Sequence, residues 1–296
     1  MKVPESLTSD LPPSVWGKIL GATPVVLTVV ATVLAGLASS EMTGAQYDRS
    51  LGAQLQAKAG DQWNFFQGQK LRGAMQRNLL DLLASAGALR PVTAATLPAG
   101  LAGTPAAEAL TAGRLPEAGT AATLPPAVQA AVDALESAGG EAEVLPAIGR
   151  ASAADVQAAL RAAQQRADDF DARLSRISQS IAAAEPVLAA PATDAGLRRD
   201  FIAARVGFEA RRYEAEAQLS QGIARLYELE VRKSNVSAER HHLRSANFFY
   251  GMLAAQMGVV ISTLAMAARK RSLLWLLAAG AGLAAVAFAV YVYLCI

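Results

Sequence analysis

The chain of 296 residues is 53% hydrophobic and only 18% charged, and its 27 basic and 25 acidic side chains nearly cancel. That balance excludes the basic surplus of a nucleic-acid-binding surface, and the single cysteine, Cys295, excludes an internal disulfide or a cysteine-based metal centre. Three stretches of about 20 residues or more lack Asp, Glu, Lys and Arg, and at about 1.5 Å per residue each covers the roughly 30 Å of bilayer hydrocarbon.

In chain order, residues 1–16 form a leader of mixed charge, and the first span is predicted over 17–38. Its apolar run exceeds the roughly 7 to 15 residues of a signal-peptide core, so an uncleaved anchor is expected. Residues 39–85 are polar, with Met42, Leu51, Leu55, Phe66, Met75, Leu79 and Leu82 at helical spacing and no proline before Pro91. They read as a helix continuing out of the span.

Residues 86–150 are rich in Ala, Gly, Pro and Thr, and their prolines break up any long element. A short helix over 127–138 is predicted between Pro125–Pro126 and Gly139–Gly140. Next comes an amphipathic helix from Ala153 to about Ala184, opened by Ser152 with Asp155 three residues on and closed by Pro186 and Pro191. Its stripe of Val156, Leu160, Ala163, Ala167, Phe170, Leu174, Ile177 and Ile181 demands a covering surface, in this chain or in another subunit. A further proline-free helix fills the rest of 151–245, with Phe201, Phe208, Leu219, Ile223, Leu226 and Leu229 near a period of 3.5 to 3.6. Two spans, 246–268 and 272–296, flank the basic loop 269–271. The expected architecture is all-α, an integral membrane protein with three transmembrane helices and a long extramembrane stalk of antiparallel, coiled-coil-like helices. About 45 to 50 residues in each arm give the stalk a reach of roughly 65 to 75 Å.

The most specific local pattern is the run Asp61, Gln62, Trp63, Asn64, Phe65, Phe66, Gln67, followed by Lys70 and Arg72. It resembles a signature of the bacterial membrane-protein family classed as domain of unknown function 4337, in which such a run follows the first span and a basic cluster separates two C-terminal spans. The resemblance covers residues 17–85 and about 195–296; the Ala/Pro-rich middle is longer than the acidic hairpin of that family. It implies a membrane topology and no chemistry. Physically, Trp63 and Phe66 share a helix face with Phe65 beside them and suit a packed joint, within the stalk or between subunits. Asp61 and Gln62 are placed to hydrogen-bond across that joint and fix its register. A ligand-binding role for the ring cluster is the alternative.

Adjacent His241 and His242 diverge by about 100° on a helix, unlike an i, i+4 metal pair, and are expected at the membrane interface with wet polar tips. No phosphate-binding loop, H-E-x-x-H pair or nucleophile elbow occurs, so the chain is read as non-enzymatic, with no cofactor. Within the charge-free runs 19–38, 246–268 and 272–296 no Asp, Glu, Lys, Arg or His is found, and Gln256 near the middle of the second is the strongest polar group, expected to bond a neighbouring helix. Small residues four apart, Gly36 with Ser40, Ala254 with Gly258, Gly258 with Ser262 and Ala278 with Gly282, let helices approach closely.

Arg269, Lys270 and Arg271 in a very short loop, together with Lys18, favour a cytoplasmic loop and N-terminus and an extracytoplasmic stalk; Arg232, Lys233, Arg240 and Arg244 pull the other way. The chain reads as a bacterial inner-membrane scaffold, lipid-embedded and homo-oligomeric. An oligomeric channel lined by Gln256, Thr28 and Thr32, or an accessory subunit of a membrane complex, are the alternatives.

Overall fold

The computed structural model describes residues 15–97, 100–116, 123–137, 140–188, 190, 193–268 and 272–296. All regular structure among them is helical: α1 Val15–Ser85, α2 Pro105–Thr111, α3 Pro126–Glu136, α4 Glu141–Arg150, α5 Ala153–Leu188, α6 Ala195–Ala267 and α7 Ser272–Cys295. Helices α1, α6 and α7 each carry a stretch long and apolar enough to cross a membrane. As expected, the apolar and polar stretches of α1 form one uninterrupted helix, and those of α6 do so as well. The chain divides into two compact units, Met1–Leu51 with Ser234–Ile296, and Gly52–Lys233.

In the first unit, α1, α6 and α7 form a three-helix bundle. Ser245 Oγ donates to the Ala38 carbonyl at 2.8 Å, while Gly251 faces Leu34 and Gly258 faces Leu27, so α1 and α6 run antiparallel. Helix α7 returns antiparallel to α6, bringing Phe288 and Ala285 to Gly251 and Ala281 and Ala278 to Gly258. A methyl in place of the Gly258 hydrogen would come within 2.9 Å of Leu27 Cδ1, so the closeness of the helices depends on that glycine. Of the small-residue pairs, Gly258, Ser262, Ala278 and Gly282 lie in this packing, whereas Gly36 and Ser40 are exposed.

The second unit packs the 52–85 part of α1, the 195–233 part of α6 and all of α5. Contacts of Gln62 with Ser220, Lys70 with Glu214 and Arg90 with Asp200 set α1 and its following turn antiparallel to α6. The buried face of α1 differs from the stripe of large apolar residues at helical spacing. Of the residues in that stripe, Leu55 is buried, but Met75, Leu79 and Leu82 are exposed, Leu82 by 64%. Gly52, Ala59, Gln69 and Gly73 are buried instead. Gly52, Ala59 and Gly73 stand at multiples of seven, and small side chains at such positions bring the α1 backbone close to α6, with Gly73 set against Tyr213 and the Ala210 carbonyl. Packing by small residues wins the interface, and the larger apolar side chains are left on the outer face.

The stripe of α5 lies as predicted, with Val156, Leu160, Phe170, Leu174, Ile177 and Ile181 buried and Ala163 and Ala167 half-buried. Its lower half joins a core with Phe201 and Phe208 of α6 and with Leu101, Ala109 and Leu110. That half of the α5 face is therefore covered by its own chain. Ser152 caps α5 as expected, its Oγ accepting from the Asp155 N–H at 3.0 Å and donating to the Asp155 carboxylate at 2.7 Å. The helix runs past its expected end to Leu188 with Pro186 inside it. Proline removes one main-chain hydrogen bond, but buried Ala184 and Leu188 hold the last turn in the core.

Between α1 and α5, helix α3 matches the predicted short helix, while α2 and α4 form where no periodicity was evident. Thr104 accepts from the Ala107 N–H to open α2, and Ala106, Ala109 and Leu110 bury it. Lys233 Nζ donates to the carbonyls of Ile148 and Ala151 at the end of α4, a cationic cap where orphan carbonyls need donors.

Candidate functional site

The aromatic run lies on α1 in the second unit and divides between two surroundings. Gln62, Trp63 and Phe66 turn into the joint with α6. Trp63 Nε1 donates to Glu228 Oε1 at 2.7 Å, and the Trp63 and Phe66 rings meet edge to face, centroids 5.4 Å apart. The buried Ser220 hydroxyl forks between the Gln62 main-chain oxygen at 2.9 Å and its Oε1 at 2.8 Å. Further along, Lys70 and Arg77 converge on Glu214 at 2.8 and 2.9 Å. The Lys70 hydrogen bond, with Arg77 adding to it, holds the Glu214 carboxyl below its ordinary value despite partial desolvation. Glu214 and Glu228 stand fourteen residues apart on α6 and receive their donors from one side of α1, which fixes the register of the two helices.

Asp61, Phe65 and Gln67 are not in this joint. Gln67 is exposed. Asp61, expected to bond across the joint, instead lines a cleft together with the half-exposed Phe65 ring. Asp61 and Phe65, four residues apart on α1, line it together with Gln164, Ala167 and Asp168 of α5.

That cleft runs between α1, α5 and α6 as two adjoining hollows of about 570 and 550 Å³ that share Phe65, Asp171 and Glu216. Glu216, only 6% exposed, accepts from Arg212 Nε at 2.7 Å. Burial pushes its carboxyl above the usual carboxylate range, with Arg212 opposing. Asp171 is also pushed up by burial, opposed by Arg212 and reinforced by Asp168. Gln69, 4% exposed, lines the same space, and its Oε1 has no hydrogen-bond partner. The sequence pattern gave no reason to single out Gln69, Asp171 or Glu216, since polar residues scattered over three helices carry no common spacing.

In the first unit, His241 is not a free polar tip. Its Nδ1 lies 2.5 Å from Glu41 Oε2 and its Nε2 3.9 Å from Asp48 Oδ2. The imidazole fits because Gly44 lies between those carboxylates on α1; a methyl there would meet the ring at 3.2 Å. Glu41 and Asp48 stand seven residues apart on α1, on either side of Gly44 in sequence, so that one ring reaches toward both. His242 Nδ1 is buried without a partner, away from that pair. Among the described residues no group of three or more His, Cys, Asp or Glu is placed to hold a metal ion.

Gln256 is exposed on the outer face of the bundle and bonds no other group among the described residues. Thr28 and Thr32 turn their hydroxyls back to the carbonyls of Pro24 and Thr28 at 2.7 and 2.9 Å. Arg269, Lys270 and Arg271 lie outside the described residues, as does the side chain of Lys18.

No family model, curated protein or solved structure matches this chain.

Proposed function

We propose that this protein is a non-enzymatic scaffold of the bacterial inner membrane that assembles with copies of itself. The observation that carries this reading is Gln256. An amide near the middle of a membrane span and exposed on the outside of its own three-helix bundle faces hydrocarbon unless another helix supplies its partners. A second copy related by a two-fold axis presents the same amide to the same surface.

Two further surfaces support association. Gly36 and Ser40, a small-residue pair on the exposed face of the first span, allow close helix approach. On α1 in the second unit, Leu71, Met75, Leu79 and Leu82 form an exposed apolar stripe at spacings of four, four and three. The short basic loop 269–271 favours a cytoplasmic location for that loop, with 39–245 on the other side of the membrane. The likeness of the Asp61–Gln67 run to domain of unknown function 4337 is consistent with a bacterial membrane setting.

Single-cysteine crosslinking in native membranes tests the association. In a Cys295→Ser background, Gln256→Cys is expected to give a disulfide-linked dimer under mild oxidation, while Ala255→Cys, on the buried face, gives none. Equal crosslinking at both positions, or at neither, overturns the reading. Purified protein is expected to be electrically silent in planar bilayers; steady conductance would favour the oligomeric channel.

A further inference from the structure

The cleft of the second unit is built as a binding site, and the geometry points to an organic cation as its ligand, an aliphatic diamine or polyamine. The first observation is Gln69. It is 96% buried by its 4% exposure, it lines the cleft, and its carbonyl Oε1 accepts no hydrogen bond. A buried acceptor without a donor is costly, by about 1 to 3 kcal/mol, so the missing component is an N–H or O–H donor. The second is charge. Asp61, Asp168, Asp171 and Glu216 line the two hollows, and Arg212, already bound to Glu216, is the one basic side chain lining them among the described residues. Four carboxylates thus face one guanidinium around a buried acceptor that lacks a donor, which favours a ligand that is both cationic and a hydrogen-bond donor.

The shape selects among cations. The carboxylates are spread over α1, α5 and α6, and no three of them are close enough to hold a metal ion among the described residues. Two adjoining hollows of about 570 and 550 Å³ joined at Phe65, Asp171 and Glu216 fit an elongated molecule with separated charges better than a compact one. Phe65, 48% exposed at the junction, offers a ring face to an ammonium group, and Leu174 and Ala182 offer apolar wall to methylene segments. An alkyl chain bearing two or more ammonium groups meets each requirement at once.

Calorimetric titration of the full-length detergent-solubilised protein with spermidine tests this, alongside butylamine and magnesium chloride at matched ionic strength. Saturable spermidine binding is expected, with butylamine weaker and magnesium unable to displace it. Asp171→Asn is expected to weaken spermidine binding by about tenfold or more, as losing one charge-assisted hydrogen bond implies, and Phe65→Ala by a smaller factor. Gln69→Leu removes the orphan acceptor and is expected to weaken binding while raising the melting temperature of the unliganded protein. Asp171→Asn is isosteric and carries the test if Gln69→Leu does not fold. Absence of saturable binding, displacement by magnesium at equal ionic strength, or unchanged affinity in Asp171→Asn overturns the proposal.

Discussion

Trp63 of α1 and Glu228 of α6 are joined by a 2.7 Å hydrogen bond between indole Nε1 and carboxylate, and the same ring packs edge to face on Phe66. Sequence pattern marked Trp63 as a packing residue; the structure adds that it is also a polar register pin. Removing the ring and removing the bond are therefore separable. Trp63→Phe keeps most of the packing and is expected to cost about 1 kcal/mol. Trp63→Ala also loses ring burial, and because the ring is only half-buried about 2 to 3 kcal/mol is expected, below the range for fully buried aromatics. Denaturant unfolding followed by tryptophan-independent circular dichroism checks both; equal effects would assign the whole role to packing.

The two kinds of glycine in the spans predict opposite phenotypes. Gly258→Val forces a branched side chain against Leu27 and the Ala278 carbonyl and is expected to destabilise the bundle by about 1 to 3 kcal/mol. Gly36→Val meets nothing within 4 Å in its own chain. It is expected to leave the melting temperature of the monomeric bundle unchanged while weakening self-association, read by analytical ultracentrifugation in detergent.

Acid should weaken the second unit through two named carboxylates. The Arg90 main-chain N–H bonds Asp200 and, with the Arg90 side chain, holds its carboxyl below the ordinary value against the effect of burial. Glu214 is held down by Lys70 and Arg77. Because both folded-state values lie below those of the unfolded chain, the stabilisation is complete above the unfolded values near pH 4 and disappears as pH falls through the folded ones. Melting temperature is expected to drop steeply below about pH 4. Glu214→Gln is expected to reduce that slope and to lower stability at neutral pH; a slope unchanged in Glu214→Gln would remove Glu214 from the account.

What the chain discloses by itself depends on how directly a physical cause writes itself into residue order. The spans are legible because hydrocarbon tolerates no unpaired charge over their length, and α5 because its core face is made of large apolar residues at period 3.6. Helix α3 is legible from the prolines before it and the glycines after it. The inner face of α1 is not, since Gly52, Ala59 and Gly73 bury little area each and a search for large apolar residues finds Met75, Leu79 and Leu82 on the other side. Nor is the end of α5, where the burial of Leu188 outweighs the bond lost at Pro186. The cleft draws on α1, α5 and α6, and the pairing of His241 with Glu41 joins residues 200 positions apart. Such convergence is a property of tertiary packing and has no local signature.

Orientation rests on the basic loop 269–271. A reporter active in one compartment, fused after residue 90, is expected to report the extracytoplasmic side; cytoplasmic activity would reverse the topology and leave the bundle itself unaffected.

Self-association through the exposed amide of Gln256 is the claim on which the scaffold reading depends, and the mass of the detergent-solubilised particle tests it most directly. Light scattering corrected for bound detergent is expected to give an integral multiple, two or more, of the 30.7 kDa chain, and Gln256→Leu is expected to shift that particle toward one chain without lowering its melting temperature. A wild-type particle containing a single chain across the accessible concentration range would contradict it.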